Sequence, residues 1–183
     1  MQRRFHIEES QHFLRLLDAE LPMPCAMVLV GESALSLGFC PDRAILDFEV
    51  WSTTDRVVWT AAERASEKIP RPIHLRQAPL VQSGMSFESR LKPAPLSGVR
   101  YLTVLVPEAH DQALLGAARG LALPALADLH RTHPLTLATL VERYEVLTRE
   151  VSMPRERLRA SFLAIVTHLF GEAKALELGA KAR

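Results

Sequence analysis

Two short segments of the sequence bring together residue types that can bind phosphate and metal ions. Gly31-Glu-Ser33 follows an apolar run, and Asp47 and Glu49 stand two positions apart in a segment of alternating polarity. A glycine where a strand meets a helix lets backbone N–H groups approach a phosphate, and the helix N-terminus favours its negative charge. Carboxylates at positions i and i+2 of a strand share one face, where their oxygens can hold divalent cations that bridge phosphates. The combination predicts in-line phosphoryl or nucleotidyl transfer, stabilised mainly by position and charge.

Each of these two features also has an ordinary structural interpretation. A glycine at the end of a strand is typical of a simple turn. An Asp-x-Glu pair on a strand is typical of a face in contact with solvent. Their order in the chain, which is strand, glycine turn, helix and acidic strand, adds weight to the functional interpretation, but these residues alone leave both interpretations open.

The elements that must position these residues follow from the hydrophobic periodicity. Apolar residues at helical spacing predict an amphipathic helix over residues 8–20, and the apolar run 26–30 predicts a buried strand. The segment after Gly31 has small and apolar residues that can form a helix. Residues 45–51 alternate in polarity, which predicts a strand with Asp47 and Glu49 on the same face.

The remaining part of the chain changes from mixed to helical character. Thr54-Asp55 can cap a helix that runs to about Lys68, and short strands are predicted within residues 73–92, including Met85–Arg90. A strand is predicted over 100–106. From residue 107 onward the pattern is helical, with breaks at 120–124, 133–134, 153–154 and 171. We therefore predict an α+β fold, with an α/β core at residues 1–107 and a helical region at 108–183 packed on it.

The composition limits the classes of protein to which the chain can belong. It has 183 residues, of which 48% are hydrophobic, and its 22 basic and 21 acidic residues give a formal charge of +1. Such a chain suits one globular domain, with or without a helical appendage, and it is too apolar for disorder. The near-neutral charge argues against binding to extended DNA, which usually needs a basic stripe.

The cysteines and the apolar runs bear on the compartment. No run of about 18 apolar residues occurs, and the N-terminal residues have charges where a signal peptide has its apolar centre. The two cysteines, Cys25 and Cys40, lack metal-ligand spacing and are expected to be reduced, structural thiols. We predict a cytoplasmic location with no membrane partner.

The segment from Val28 to Val50, VLVGESALSLGFCPDRAILDFEV, resembles the active-site signature of the polymerase-β-type nucleotidyltransferase superfamily. That signature is a Gly-Ser or Gly-Gly turn that opens a helix, followed by Asp-x-Asp/Glu on the next strand. Further segments are similar to a bacterial branch of small nucleotidyltransferase-like proteins of unassigned function, related to AbiEii-type toxins. These segments are FESRL (87–91), YLTVLVPEAHDQALLGAARG (101–120), ALADLHRTHPLTLATLVERY (125–144) and FLAIVTHLFGEA (162–173). The resemblance covers nearly the whole chain and implies a mixed sheet with flanking helices and a C-terminal helical region.

The resemblance also implies a site and its ligands. The expected ligands are a nucleoside triphosphate and Mg²⁺, with an RNA or a protein as the acceptor of the nucleotidyl group. Glu88, in FESRL, is the candidate for a third carboxylate, and Arg43 and Arg90 are candidates for phosphate contacts or ordinary surface arginines. The implied site residues are Gly31, Ser33 and Arg43 for the nucleotide and Asp47, Glu49 and Glu88 for catalysis, with the metal held by Asp47 and Glu49.

Two departures from the family pattern keep a different function in view. Glu32 places an anion where the triphosphate would approach, unless Ser33 takes the role of the motif serine after a shift of one residue. The stretch 116–127 is nearly neutral where related proteins have more charge. The alternative is therefore a catalytically degenerate module that acts through a protein partner, as in a toxin–antitoxin pair, and a small-molecule binder that uses the same cleft is a third interpretation. The sequence leaves the acceptor, the nucleotide preference and the oligomeric state open.

Overall fold

Helices and short strands alternate in the first half of the chain, and helices alone make up the second half. The computed structural model describes residues 4–51, 55–78, 85–120 and 122–181. The described residues form an α+β fold, as predicted, and none of their helices is both long and apolar enough to cross a membrane. The helices of this part are α1 (Ile7–Glu20), α2 (Gly31–Gly38), α3 (Arg56–Glu67), α4 (Ala109–Ala118), α5 (Leu123–Thr132), α6 (Leu137–Glu150), α7 (Arg155–Phe170) and α8 (Glu172–Lys181), with a short 3-10 helix at Ser86–Arg90. The strands are β1 (Cys25–Val28), β2 (Phe48–Val50), β3 (Leu75–Gln77), β4 (Lys92–Pro93) and β5 (Leu102–Val106).

The strands form two small sheets that meet at β1 and β2. Strand β5 lies between β1, to which it is parallel, and β4, to which it is antiparallel, while β2 and β3 form a parallel pair. An antiparallel bridge between Leu29 and Val50 joins the two sheets. The Val30 N–H donates to the Glu49 carbonyl at 3.0 Å, and the Trp51 N–H donates to the Val28 carbonyl at 2.7 Å. The acidic segment is thereby held next to the strand that leads into α2.

A buried carboxylate attaches the first helix to the sheet. Asp18, near the C-terminal end of α1, accepts backbone N–H groups of Arg100, Tyr101 and Leu102 at distances between 2.6 and 3.0 Å. Burial alone would raise the pKa of Asp18, but the N–H donors of Arg100, Leu102 and Tyr101 outweigh it and lower the pKa below 3.8. Asp18 therefore fixes the start of β5 against α1 as a charged group.

Two apolar clusters form the core. One packs α1 and α3 on the sheet around Phe13, Phe48 and Ile73, and Phe13 and Phe48 stack with ring centroids 5.5 Å apart. The other packs the C-terminal helices together with Val28, Trp51 and Phe87 of the preceding part of the chain. The helical region is therefore continuous with the N-terminal core and is not a separate appendage.

The segment Met85–Arg90 was expected to contain a strand, and that prediction is wrong. The Glu88 carboxylate accepts the Met85 N–H at 3.1 Å, which closes a helical turn. Phe87 is buried and meets Trp51 edge to face, with ring centroids 4.6 Å apart. This local cap and the aromatic contact favour a 3-10 helix over an extended strand.

The acidic strand is shorter than predicted, and buried and exposed residues do not alternate regularly along residues 45–51. Only Phe48–Val50 is a strand, whereas Ile45 forms an isolated bridge with Phe5, and the chain bends at Leu46 and Asp47. The bend lets Ile45 be buried although the alternation grouped it with the carboxylates. The predicted cap residue Thr54 and residues 79–84 of the ambiguous stretch lie outside the described residues.

The predicted breaks between the C-terminal helices are confirmed within the described residues. Helix α4 ends at Ala118 and α5 begins at Leu123 with Pro124 in its first turn, while Leu121 lies outside the described residues. Helices α5, α6 and α7 end before or at the breaks predicted near 133, 153 and 171. Pro and Gly at these positions stop helices because proline lacks an N–H and glycine tolerates positive φ.

Candidate functional site

A cavity of about 300 Å³ opens where α2 begins, beside β2, β3 and the C-terminal end of α4. This volume falls at the lower end of the range for small-molecule sites in proteins. It brings together three of the residues predicted from the sequence, Gly31, Asp47 and Glu49. The complete lining is Gly31, Glu32, Leu46, Asp47, Glu49, Arg76, Gly116, Arg119, Gly120 and Ala122.

Gly31 has to be a glycine because of its backbone conformation and its neighbours. Its φ is +66°, in the left-handed region that side chains rarely adopt. A Cβ at this position would overlap the Glu49 carboxylate and would lie 3.0 Å from Nη1 of Arg119. The glycine therefore lets a carboxylate and a guanidinium come into contact with the first turn of α2.

Ser33 has a structural role in this arrangement. Its side chain is buried, its hydroxyl donates to the Val30 carbonyl at 2.9 Å, and it accepts the Glu49 N–H at 3.1 Å. Ser33 does not line the cavity. It joins α2 to β2 and so positions Glu49, and its predicted contact with the nucleotide stays a prediction.

Helix α4 and the turn that follows it reach the start of α2 through two side chains. Gln112 of α4 donates its side-chain amide to the Gly31 carbonyl at 2.7 Å, and Arg119, in the turn directly after α4, donates Nη2 to Oε1 of Glu49 at 2.7 Å. The Arg119 side chain is only 10% exposed and that of Glu49 is 33% exposed. The turn after α4 thus supplies a cation to the acidic segment.

The other two acidic side chains at the cavity also have arginine partners. Asp47 accepts Nη1 of Arg76 at 3.0 Å, and Glu32 accepts Nη1 of Arg4 at 3.1 Å. Arg76 is 69% exposed and lines the cavity, while Arg4 also donates to the Ala44 carbonyl at 3.0 Å. Each cavity carboxylate is therefore neutralised by a guanidinium, and the cavity is less negative than its three acidic residues suggest.

Arg119 keeps hydrogen-bond donors that no described residue satisfies. Its Nε and Nη1 are buried without an acceptor among the described residues. None of the described side chains caps the N-terminus of α2 either. Buried charged donors without an acceptor cost free energy, and helix N-terminal amides favour an anion. Together they make this end of the cavity suited to an oxyanion.

The two carboxylates that were predicted to hold a metal ion are both paired with arginines. Asp47 and Glu49 supply the oxygen ligands that Mg²⁺ prefers, but a metal ion would have to displace Arg76 from Asp47 and Arg119 from Glu49. The predicted Mg²⁺ site at these residues stays a prediction. Within the described ranges no group of three or more His, Cys, Asp or Glu side chains is arranged to hold a metal ion.

Three other residues singled out in the sequence lie away from the cavity. Glu88 caps the 3-10 helix and does not line the cavity, and Arg43 pairs with Asp128 of α5 at 2.8 Å. Arg90 makes two bonds of 2.9 Å to Asp111, whose carboxylate also accepts Nη1 of Arg143 at 2.7 Å. Arg43 and Arg90 connect elements of the fold here, and the catalytic and nucleotide-binding roles implied for Glu88 and Arg43 stay predictions.

Sequence reasoning missed the two arginines that face the acidic pair. Arg119 lies within the stretch 116–127, which was interpreted as neutral and as lacking the family's charges. The signal that could have identified it is its position as a single arginine between Ala118 and Gly120, directly after an apolar helix. Arg76 lies beside Glu49 in the register of β2 and β3, and it follows from no motif.

Comparisons of the chain with models of known families, with characterised proteins and with solved structures gave no significant match.

Proposed function

We propose that the chain binds the phosphate groups of a nucleoside triphosphate in the cavity at the start of α2. The observation that carries the proposal is Arg119, whose buried Nε and Nη1 lack an acceptor among the described residues, beside a helix N-terminus that none of their side chains caps. A terminal phosphate would accept from the guanidinium and from the first amides of α2 at the same time. The resemblance to nucleotidyltransferases supports the choice of a nucleoside triphosphate among phosphate ligands.

The charges at the cavity are compatible with an anion although three acidic residues line it. Arg4, Arg76 and Arg119 neutralise Glu32, Asp47 and Glu49. A guanidinium has five N–H donors, so it can hold a carboxylate and a phosphate together. Arg76 lines the cavity and its side chain is 69% exposed, so it is accessible to a second phosphate.

A second candidate is a catalytically degenerate module that acts through a protein partner. One observation favours it over nucleotidyl transfer to an RNA or protein acceptor, namely that both members of the acidic pair are bound by arginines. Transfer assisted by Mg²⁺ would require these carboxylates to be released, and Arg119, in the turn after α4, is largely buried. In this candidate, nucleotide binding sets the conformation that the partner recognises.

Binding is tested by titrating ATP into the full chain and measuring the heat. We expect saturable binding to the wild type and at least a tenfold loss of affinity in Arg119→Ala, since a charged hydrogen bond contributes about 1.5–3 kcal/mol. Arg131→Ala is the matched control because Arg131 is 74% exposed and pairs with Asp128 on the surface. No heat with the wild type, or equal affinity in Arg119→Ala, would refute the proposal.

Turnover separates the two candidates once binding is measured. Nucleotidyl transfer releases pyrophosphate from ATP, so a coupled pyrophosphate assay with Mg²⁺ and a candidate acceptor reports it directly. Release that is abolished in Asp47→Ala supports transfer. Binding without release, together with a protein partner recovered in a nucleotide-dependent manner, supports the degenerate module.

A further inference from the structure

We infer that the cavity binds triphosphate without a divalent cation, because Arg76 and Arg119 supply the positive charge that Mg²⁺ supplies elsewhere. This inference rests on the proposed function and concerns the form in which the ligand enters the site. A free triphosphate, with its full negative charge, is the predicted ligand. The metal complex of the same triphosphate is not required.

The positions of the two arginines carry the inference. In phosphate sites with an acidic pair, a cation neutralises the carboxylates and bridges them to the phosphate oxygens. Here Nη2 of Arg119 lies 2.7 Å from Oε1 of Glu49, and Nη1 of Arg76 lies 3.0 Å from Oδ2 of Asp47. The carboxylates are therefore neutralised before a ligand arrives.

The remaining N–H donors of Arg119 can connect the Glu49 carboxylate to a phosphate. Only its Nη2 is engaged, while Nε and Nη1 are buried and unpartnered among the described residues, and Nη1 lies against Gly31. While Nη2 stays on the carboxylate, the Nη1 donors beside Gly31 can bond a phosphate at the start of α2. Arg119 then connects the Glu49 carboxylate to the phosphate, as a metal ion would, but without a coordination shell.

The charge of the ligand determines whether the free triphosphate or its Mg²⁺ complex should bind more tightly. Mg²⁺ lowers the negative charge of a triphosphate and occupies oxygens that the arginines need. In a site whose cations are guanidinium groups of the chain itself, the free triphosphate should bind at least as tightly as its Mg²⁺ complex. A site that relies on carboxylate ligands for a metal would show the reverse order.

Calorimetric titration of the full chain with ATP, in EDTA and in excess Mg²⁺, tests this inference. We expect a Kd in EDTA equal to or lower than that in Mg²⁺, and inorganic triphosphate should also bind in EDTA if the phosphates are the recognised group. Binding of ATP but not of inorganic triphosphate in EDTA would still support metal-free binding and would assign part of the recognition to the nucleoside. Binding that requires Mg²⁺ would overturn the inference and leave the proposed function standing. No binding in either medium would overturn both.

Two variants assign the effect to the arginines. Arg119→Met retains most of the side-chain volume, and Arg76→Met replaces an exposed side chain with little consequence for the fold. We expect each variant to weaken ATP binding in EDTA at least fivefold, with an unchanged circular dichroism spectrum as the check on folding. If Arg119→Met does not fold, Arg76→Met alone decides. Unchanged affinity in EDTA in the folded variants would overturn the inference.

Discussion

Nη2 of Arg119 donates to Oε1 of Glu49 at 2.7 Å, across 70 positions of the chain. The bond joins the end of α4 to β2, and Gly31 makes room for it because a side chain there would overlap the Glu49 carboxylate. The acidic pair, the start of α2 and the first helix of the C-terminal region thus meet at one cavity. This relationship is the basis for the proposed phosphate site.

Replacement of Gly31 by alanine should both destabilise the fold and impair the site. A positive φ costs an ordinary residue about 1–2 kcal/mol, and the added Cβ would also displace the Glu49 carboxylate from Arg119. We expect urea denaturation to show a loss of about 2 kcal/mol or more. Gly98→Ala is the control, because Gly98 also has a positive φ of +75° and the described atom that a Cβ there would meet is Cδ of the flexible Arg15 side chain, at 3.3 Å. Equal losses in the two variants would contradict the close approach at Gly31.

Removal of the charge on Glu32 should strengthen phosphate binding. Glu32 stands in the first turn of α2, lines the cavity and pairs with the exposed Arg4, so removing its charge leaves the Arg4 guanidinium unpaired and makes the site more positive. A repulsion of about 1 kcal/mol at a solvated site predicts roughly a fivefold lower Kd for ATP in Glu32→Gln. Glu145→Gln, which removes an exposed charge from α6, serves as the control. Weaker binding in Glu32→Gln would show that the anion does not approach this turn.

Asp18 should make the fold sensitive to acid. Its pKa is lowered in the folded state, so its contribution is present above the ordinary value of 3.8 and is lost as the pH falls through the lowered pKa. As the pH is lowered from about 5, we expect the free energy of unfolding to decrease less in Asp18→Asn than in the wild type. At pH 7 the variant should be about 2 kcal/mol less stable, because buried backbone N–H donors lose a charged acceptor. Parallel stability curves for the two proteins between about pH 3 and pH 7 would contradict this role.

The two cysteines should be unreactive in the native protein. Cys25 and Cys40 are buried and free, and burial raises the pKa of both thiols. Both thiols should therefore react slowly with Ellman's reagent in the native protein. After denaturation, the reagent should rapidly detect two thiols per chain. Rapid reaction of either thiol in the native protein would contradict their burial.

Local patterns were sufficient for most elements and for three of the six predicted site residues. Helix α1 and strand β5 follow from periodicity, and the order of strand, glycine turn and acidic segment placed Gly31, Asp47 and Glu49 at one cavity. These residues are close in the chain, so the path of the backbone almost fixes their proximity. The bend before β2 changed which residues are buried without moving Glu49 from the cavity.

The residues that could not be predicted depend on tertiary packing. Arg119 reaches Glu49 because α4 packs against α2 through Gln112, and no local pattern specifies that contact. Glu88 was expected at the site, but a local cap on the Met85 N–H competes for its carboxylate and folds the segment into a 3-10 helix. The sequence patterns thus did not predict two effects. These are ion pairs between residues far apart in the chain and the capping of a short helix by a nearby side chain.

The most direct test of phosphate binding at Arg119 is a nitrogen-15 NMR titration of the full chain with ATP. The side-chain Nε–H of Arg119 and the backbone N–H groups of Gly31 and Glu32 should shift together and saturate with a single Kd. In Arg119→Met, the backbone signals of Gly31 and Glu32 should not shift when ATP is added. Shifts confined to other surfaces, such as the arginines at the start of α7, would contradict the phosphate site proposed at Arg119.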